Sequence, residues 1–335
     1  MNTLLASLLA EVRVVQLPLA KEFRGITVRE VALIKGAQGW GEFGPFLEYD
    51  DRESSRWLLA AVEACQIGWP IPLRTKIPVN ATIPALSPSE AIEVFDSFNG
   101  CKSAKVKVAQ RGQLLKDDID RLRALKEHAP SGTRFRIDAN GAWSMTEATV
   151  AIEAVYEVLG ESLEYVEQPC ASVEELVALR ARISPILIAA DESIRKADDP
   201  LLVAAAGAAD IAIVKVAPLG GVAAALRIAA AAGLPTVVSS ALDSAVGIRA
   251  GLALAAALPN LPYACGLATT SLLSEDLYRF APVNGEIEIK NPLISDSTIE
   301  RLSAPVDRVQ WWRERITRTW NAGTAELVAE SGWSW

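Results

Sequence analysis

From residue 77 onward the chain alternates two patterns at a regular step. Short apolar runs rich in β-branched residues begin at Ile77 (IPVNATIPA), Ala104 (AKVKVA), Thr133 (TRFRIDA), Leu163 (LEYVEQP), Ile186 (ILIAADE), Ile211 (IAIVKVA), Thr236 (TVVSSA) and Pro262 (PYACGLA). Between them lie stretches with helical spacing of apolar or alanine-rich residues, at 88–97, 113–128, 146–159, 172–182, 197–207, 220–232 and 246–257. Strands separated by the length of a helix cannot pair as hairpins. They line up in parallel, and eight such units close into a barrel. The first helix opens with S-P-S-E, a sound N-terminal signal.

The flanks break the period. Ahead of it come strand runs at Glu11 (EVRVVQLPL), Ile26 (ITVREVALIKG) and Gly39 (GWGEFGP), then a helical stretch from Ser54. Behind it come a hairpin (VNGEIEI from Val283) and a helix (VDRVQWWRERITRTW from Val306). Five of the nine tryptophans fall in 311–335, which predicts that the tail packs onto the protein or onto a neighbouring subunit. The expected domains are an α+β cap at 1–76, a barrel at 77–275 and a tail at 276–335 that packs on the cap.

Polar residues fall on the same period. Lys107, Asp138, Glu167, Asp191, Lys215 and Ser239 each stand at the C-terminal end of a strand run, separated by 31, 29, 24, 24 and 24 residues. Alone, any of these carboxylates would read as a helix cap or a surface group. Together they have no packing reason to end successive strands at one depth, and the C-terminal mouth is where barrels place their chemistry.

Composition narrows that chemistry. The chain has one histidine in 335 residues, His128, at a predicted helix C-terminus where a cation suits the dipole. Histidine-based triads, histidine-rich zinc sites and histidine proton transfer therefore lose most of their support. A net charge of −8 without a basic block argues against nucleic acid. Cys65, Cys101, Cys170 and Cys265 are far apart and read as reduced thiols in or near the core. The apolar run MNTLLASLLAEV has no preceding Lys or Arg and meets Glu11 at once, unlike an export signal, so a cytoplasmic protein without membrane contact is expected. Leu219-Gly220-Gly221 reads as a helix start, with anion binding as the alternative.

Asp138, Glu167 and Asp191 offer three hard oxygen donors, a set suited to Mg²⁺, with Mn²⁺ as the alternative. Lys107 and Lys215 would flank the metal, an arrangement that suits removal of a proton next to a substrate carboxylate. A lysine base must be neutral, although its free pKa is about 10.4. Lys105 lies two residues before Lys107 on the same face of a strand. A second ammonium roughly 6.6 Å away disfavours charge on Lys107 by about 2.5 kcal/mol at an effective dielectric of roughly 20. Lys105 is therefore expected to tune the base.

These runs, K-V-K at 105–107, R-I-D-A-N at 136–140, V-E-Q-P at 166–169, A-D-E-S at 190–193 and I-V-K at 213–215, resemble the enolase superfamily, and within it the muconate-lactonizing subgroup. The resemblance covers nearly the whole chain. It implies a modified TIM barrel, (β/α)₇β, under a cap formed by both termini. It also implies Mg²⁺ on Asp138, Glu167 and Asp191, Lys107 and Lys215 as the acid–base pair, and Asn140 and Glu192 as outer supports or plain caps. The uncharged eighth run, Cys265-Gly-Leu-Ala-Thr-Thr, lacks the acidic group of the subgroup's epimerases and cycloisomerases. The resemblance then narrows to a dehydratase of menaquinone biosynthesis, acting on a succinyl-substituted hydroxycyclohexadiene carboxylate. Ser239, Ser240, Gly266 and Leu267 would line the succinyl end, Arg136 would approach the substrate or brace Asp138, and the cap loop at 21–25 would close over the site. Racemisation of N-succinyl amino acids stays open, as does a barrel that binds a carboxylate without turnover. Oligomeric state is open too.

Overall fold

The computed structural model describes residues 3–23, 25–196 and 199–333. Three antiparallel strands, β1 (Val12–Phe23), β2 (Ile26–Gly36) and β3 (Gly39–Phe43), make a meander. Ala32 and Ile34 of β2 and Phe43 of β3 are buried on one of its faces. The helix Ser55–Val62 covers that face with Trp57 and Leu58, and the tail helix Val306–Thr319 adds Trp312 and Ile316. Phe43 and Trp312 meet edge to face, with ring centroids 5.8 Å apart. The tail helix thus packs against the meander. Thr3–Ala10, read above as an apolar run, is a helix that buries Leu5 and Leu8 in the same core.

The Ile77 run does not make one strand. Its first part, β4 (Lys76–Pro78), pairs antiparallel with the tail instead of entering the barrel. The barrel sheet holds seven parallel strands in chain order: β5 (Ala81–Ile83), β6 (Ser103–Lys107), β7 (Arg134–Asp138), β8 (Leu163–Glu167), β9 (Ile188–Ala190), β10 (Ile211–Val214) and β11 (Thr236–Val238). The partner of β4 is β12 (Glu286–Glu288), which follows a tight turn at Asn284 and Gly285.

The eighth run closes the barrel without becoming a regular strand. Cys265 bridges Val79 on one edge, and Gly266 bridges Ser239 on the other. Cys265 N donates to Pro78 O at 2.7 Å and Gly266 N to Val238 O at 2.8 Å. A Cβ on Gly266 would lie 2.6 Å from Ser239 Oγ, so the seam needs glycine there.

Helices Pro88–Asp96, Leu115–His128, Met145–Leu159, Val173–Ile183, Val222–Ala232 and Ala245–Ala257 follow the period. Three begin with a Ser-x-x-Glu box: Ser87 with Glu90, Ser144 with Glu147, and Ser172 with Glu175. The stretch expected at 197–207 starts outside the described residues and contains only the short helix Leu202–Ala205. His128 ends its helix as expected, with Nε2 2.8 Å from Asp96 Oδ1. All four cysteines are buried and unbridged. No described helix is long and apolar enough to cross a membrane.

Two cap carboxylates dock on barrel helices. Glu63 accepts from Val222 N and from Ala223 N, the latter at 3.0 Å. Glu42 accepts from Ser244 N at 3.1 Å and Gly247 N at 3.0 Å. The Gly220–Gly221 helix start therefore does hold an anion, and the anion is a side chain of the cap.

Candidate active site

Alternation along the strands sets the site in layers. On β6, Ala104 and Val106 pack outward into the core around Leu122 and Leu125, while Lys105 and Lys107 point into the barrel. Register then aligns neighbours. Lys107 pairs with Asp138 and Asp138 with Glu167, while one layer below Lys105 pairs with Arg136 and Arg136 with Tyr165. Asp191 and Lys215 follow the last residues of β9 and β10 directly. All six charged groups of the expected site are under one-tenth exposed.

Each carboxylate meets a cation. Lys107 Nζ contacts Asp138 Oδ2 and donates to Asn140 Oδ1 at 2.9 Å. Lys105 Nζ lies 2.9 Å from Glu167 Oε1 and 3.3 Å from Asp138 Oδ2. Lys215 Nζ lies 2.6 Å from Asp191 Oδ2 on the opposite side of the row. Burial alone would raise Asp138, but Lys107 and Lys105 outweigh it and hold the carboxyl below its usual range. Asp191 is likewise lowered by Lys215 and Arg195 against its burial, to about 2. Glu167 goes the other way: burial and the neighbouring Asp138 push it up to about 7.

The expected tuning of Lys107 by Lys105 takes a different form here. The two ammonium groups do not simply face each other, because both reach the same oxygen of Asp138, and Glu167 also binds Lys105. These two carboxylates hold Lys105 firmly protonated, against the effect of its burial.

Among the described residues, no three His, Cys, Asp or Glu side chains stand in a geometry that would hold a metal ion. The donor chemistry nevertheless fits a hard divalent cation. Asp138, Glu167 and Asp191 are close enough to perturb one another's protonation, and Glu167 Oε2 is buried without a hydrogen-bond partner. Glu192 Oε2 is a second such oxygen. A buried carboxylate oxygen left unpaired is costly, and a cation satisfies it. Asn140 and Glu192 are tied together, Nδ2 to Oε1 at 3.1 Å.

Three sequence expectations need correction. Arg136 reaches neither Asp138 nor the mouth. It is fully buried in the lower layer, where Nη1 donates to Ala264 O at 2.7 Å and to Asn80 Oδ1 at 3.2 Å, and Nε donates to Glu164. Strand alternation that sends Asp138 to the mouth leaves Arg136 one layer deeper. Leu267 is fully buried against Gly251 of a barrel helix, because Gly266 beside it takes the seam. Gly266 itself makes backbone bridges instead of lining the space over Lys215.

Ser239 and Ser240 do line that space, with Lys105, Lys107, Asn140, Arg195 and Lys215. The cap supplies its apolar wall, Phe23 and Phe46, and Lys107 Nζ stands 5.7 Å from the centre of the Phe23 ring. From Lys107 a cavity of about 580 Å³ opens outward past Glu22, Phe23, Arg111 and Gln113. Of the cap loop at 21–25, Glu22 and Phe23 therefore face the cavity, Lys21 pairs with Glu90 at 3.1 Å, and Arg24 lies outside the described residues. Sequence reading missed Phe46, Tyr49 and Arg195. Only the last carried a signal, four residues after Asp191 and so on the same face of a helical turn.

Comparison with known proteins agrees with this architecture. Residues 90–293 match the family described as enolase C-terminal domain-like, and residues 14–65 the one described as enolase N-terminal domain-like. The o-succinylbenzoate synthase of Mycobacterium tuberculosis is 50% identical over 313 residues, covering 93% of this chain and 94% of the relative. That of Mycolicibacterium smegmatis is 51% identical over 313 residues, covering 93% and 96%. Among solved structures, muconate lactonizing enzyme from Pseudomonas fluorescens superposes with a TM-score of 0.75 at 20% identity, over 88% of this chain and 98% of that one. The L-Ala-D/L-Glu epimerase of Bacillus subtilis gives 0.72 at 23% identity, over 84% and 95%. Enzymes of this group depend on a divalent metal and act on small molecules. With its modified TIM barrel and its cap, the chain belongs to the enolase superfamily.

Proposed function

We propose that this chain is a hydro-lyase that removes water from a succinyl-substituted hydroxycyclohexadiene carboxylate to give o-succinylbenzoate, the product for which its half-identical relatives are named. Asp138, Glu167 and Asp191 would hold Mg²⁺, with Asn140 and Glu192 supporting them. When bound, the cation supplies Lewis-acid stabilisation of negative charge on the substrate carboxylate.

The protein's own groups perform the proton transfers. Lys107 Nζ, in its neutral form, takes the proton from the carbon that bears the ring carboxylate. The C–O bond to the hydroxyl on the same face breaks, and Lys107 returns its proton to the departing oxygen as water leaves. One group acting from one face makes the elimination syn, and the ring gains its third double bond. Lys215, on the far side of the row, stays charged and offsets charge developing on the substrate. Phe23 and Phe46 exclude water from the ring, and Ser239 and Ser240 line the end beside Lys215.

The observation that carries this reading is the disposition of the lysines. Lys107 sits on Asp138 and Lys215 on Asp191, at opposite ends of one carboxylate row. The same observation favours a second activity, racemisation of N-succinyl amino acids, since either face of a substrate carbon meets an amine. Purified protein supplied with Mg²⁺ and the cyclohexadiene is expected to produce an aromatic absorbance. With an N-succinyl amino acid in D₂O, α-deuterium uptake together with loss of optical activity would establish the second activity. Absence of both reactions rejects both readings.

A further inference from the structure

We propose that Arg195 is a positioning residue for Asp191 and that the cap completes the metal site through Tyr49; the proposal rests on reading Asp191 as a metal ligand. Arg195 lies on the helical turn Glu192–Arg195 and is 6% exposed. Its guanidinium reaches three acceptors: Nε to Asp191 Oδ1 at 3.1 Å, Nη2 to Glu192 Oε1 at 2.6 Å, and Nη1 to Tyr49 Oη at 2.9 Å. Only a planar fork with several fixed donors can serve three groups in these directions at once.

The consequence is a division of labour within one carboxylate. Oδ1 of Asp191 is taken by Arg195, while Oδ2 faces Lys215 at 2.6 Å. The carboxylate plane is therefore fixed by a group other than the two lysines of the acid–base pair. Tyr49 is itself well anchored. Its ring meets Phe46 and Trp57 edge to face at 5.5 and 6.0 Å, and its carbonyl accepts from Arg315 Nη2 of the tail at 2.8 Å. The chain of contacts continues past Arg195. Glu192 Oε1 accepts from Asn140 Nδ2, and Asn140 Oδ1 from Lys107 Nζ. Cap, metal ligand and base thus share one hydrogen-bonded path.

The test is titration of Mn²⁺ alone, followed by electron paramagnetic resonance, with melting temperature measured in parallel. Arg195→Lys keeps the charge and loses the fork; Tyr49→Phe keeps the ring and loses one acceptor. Outer supports of metal ligands typically contribute 10–100-fold in affinity, and Arg195→Lys is expected to weaken Mn²⁺ binding by about that factor. Tyr49→Phe is expected to weaken it by roughly 3- to 10-fold, with its melting temperature within a few degrees of wild type. Because both act through one path, the double variant should bind little worse than Arg195→Lys. Wild-type affinity in Tyr49→Phe and Arg195→Lys, or losses that add in full, would overturn the proposal. Should Arg195→Lys fail to fold, Tyr49→Phe decides alone. Binding is read without substrate, so a protein that binds Mn²⁺ normally but dehydrates nothing defeats the proposed reaction and not this inference. A wild type that binds no Mn²⁺ defeats this inference together with the assignment of Asp191.

Discussion

Two buried acidic clusters stand on either side of the junction between cap and barrel, and they are neutralised by different means. At the mouth, Asp138, Glu167 and Asp191 face four cations, Lys105, Lys107, Lys215 and Arg195. At the docking surface, Glu42 is buried and Asp243 partly so; the Arg29 guanidinium favours charge on both without bonding either, Glu42 accepts from Ser244 N and Gly247 N at the start of the helix Ala245–Ala257, and Asp243 accepts from Ala241 N. Asp276 caps the same helix through Ala245 N at 3.0 Å. The outcomes differ accordingly. Burial and Asp243 push Glu42 up to about 8, and burial pushes Asp276 up to about 7, whereas the lysines keep Asp138 and Asp191 ionised. Backbone donors and one arginine do not offset burial; two cations on one carboxylate do, as at Asp138 and Asp191, whereas Glu167 beside Lys105 and Asp138 is still pushed up to about 7. One cluster is suited to exchange its ammonium partners for a metal and a substrate, the other to hold the cap in place.

If that contrast is right, removing a cation from the mouth should abolish chemistry and leave the fold. Lys107→Ala is expected to lower kcat for dehydration by about 10³-fold or more, measured as the rise of aromatic absorbance, with an unchanged thermal midpoint. An equal loss of stability would mean that both clusters serve the fold.

Crowding the docking surface should do the reverse. Gly221 has φ +116°, and a Cβ there would lie 2.4 Å from Glu63 Oε2. Gly221→Ala should therefore destabilise by about 2–4 kcal/mol in a denaturant titration. Catalysis by the folded fraction should survive.

The most gradual effect is a pH slope. A carboxyl whose pKa is raised on folding stabilises fully below its unfolded pKa, and that contribution is lost as pH rises through the folded value. For Glu42 the window runs from about 4.5 to about 8, and Asp276 adds to it near 7. Stability should fall by on the order of several kcal/mol between pH 5 and about pH 9. Glu42→Gln should flatten part of that slope while activity stays within roughly threefold. A slope identical to wild type would show that Arg29 and the helix N-terminus already keep Glu42 ionised.

The βα period and the polar residues on it were legible because a strand end and a register are local properties. Lys107, Asp138 and Glu167 pair side by side along adjacent strands, as their spacing implied. What was not legible depends on contacts across the chain. Gln16 donates to Glu30 within the cap, but Glu42 meets Ser244, Glu63 meets Val222 and Tyr49 meets Arg195 across 146 residues or more. No local pattern in 39–63 marks which glutamate will cap which helix. The Pro262 run looked like a strand by composition, yet its two edges allow only single bridges, at Cys265 and Gly266. Depth within the barrel was also hidden. Arg136 and Asp138 share a face and differ only by one layer, which separates a structural tie from a site residue.

The tail closes the cap from the far end of the polypeptide. Glu30, on the second strand, accepts from the indole of Trp312 at 2.9 Å, a partner 282 positions later. A ribosome therefore releases the meander long before the helix that shields it exists. Until residues 312–316 are made, the apolar face of Ala32, Ile34 and Phe43 lacks the cover that Trp312 and Ile316 will supply. The barrel strands can pair with neighbours in order of synthesis, while the cap must wait for the helix Val306–Thr319 that follows them.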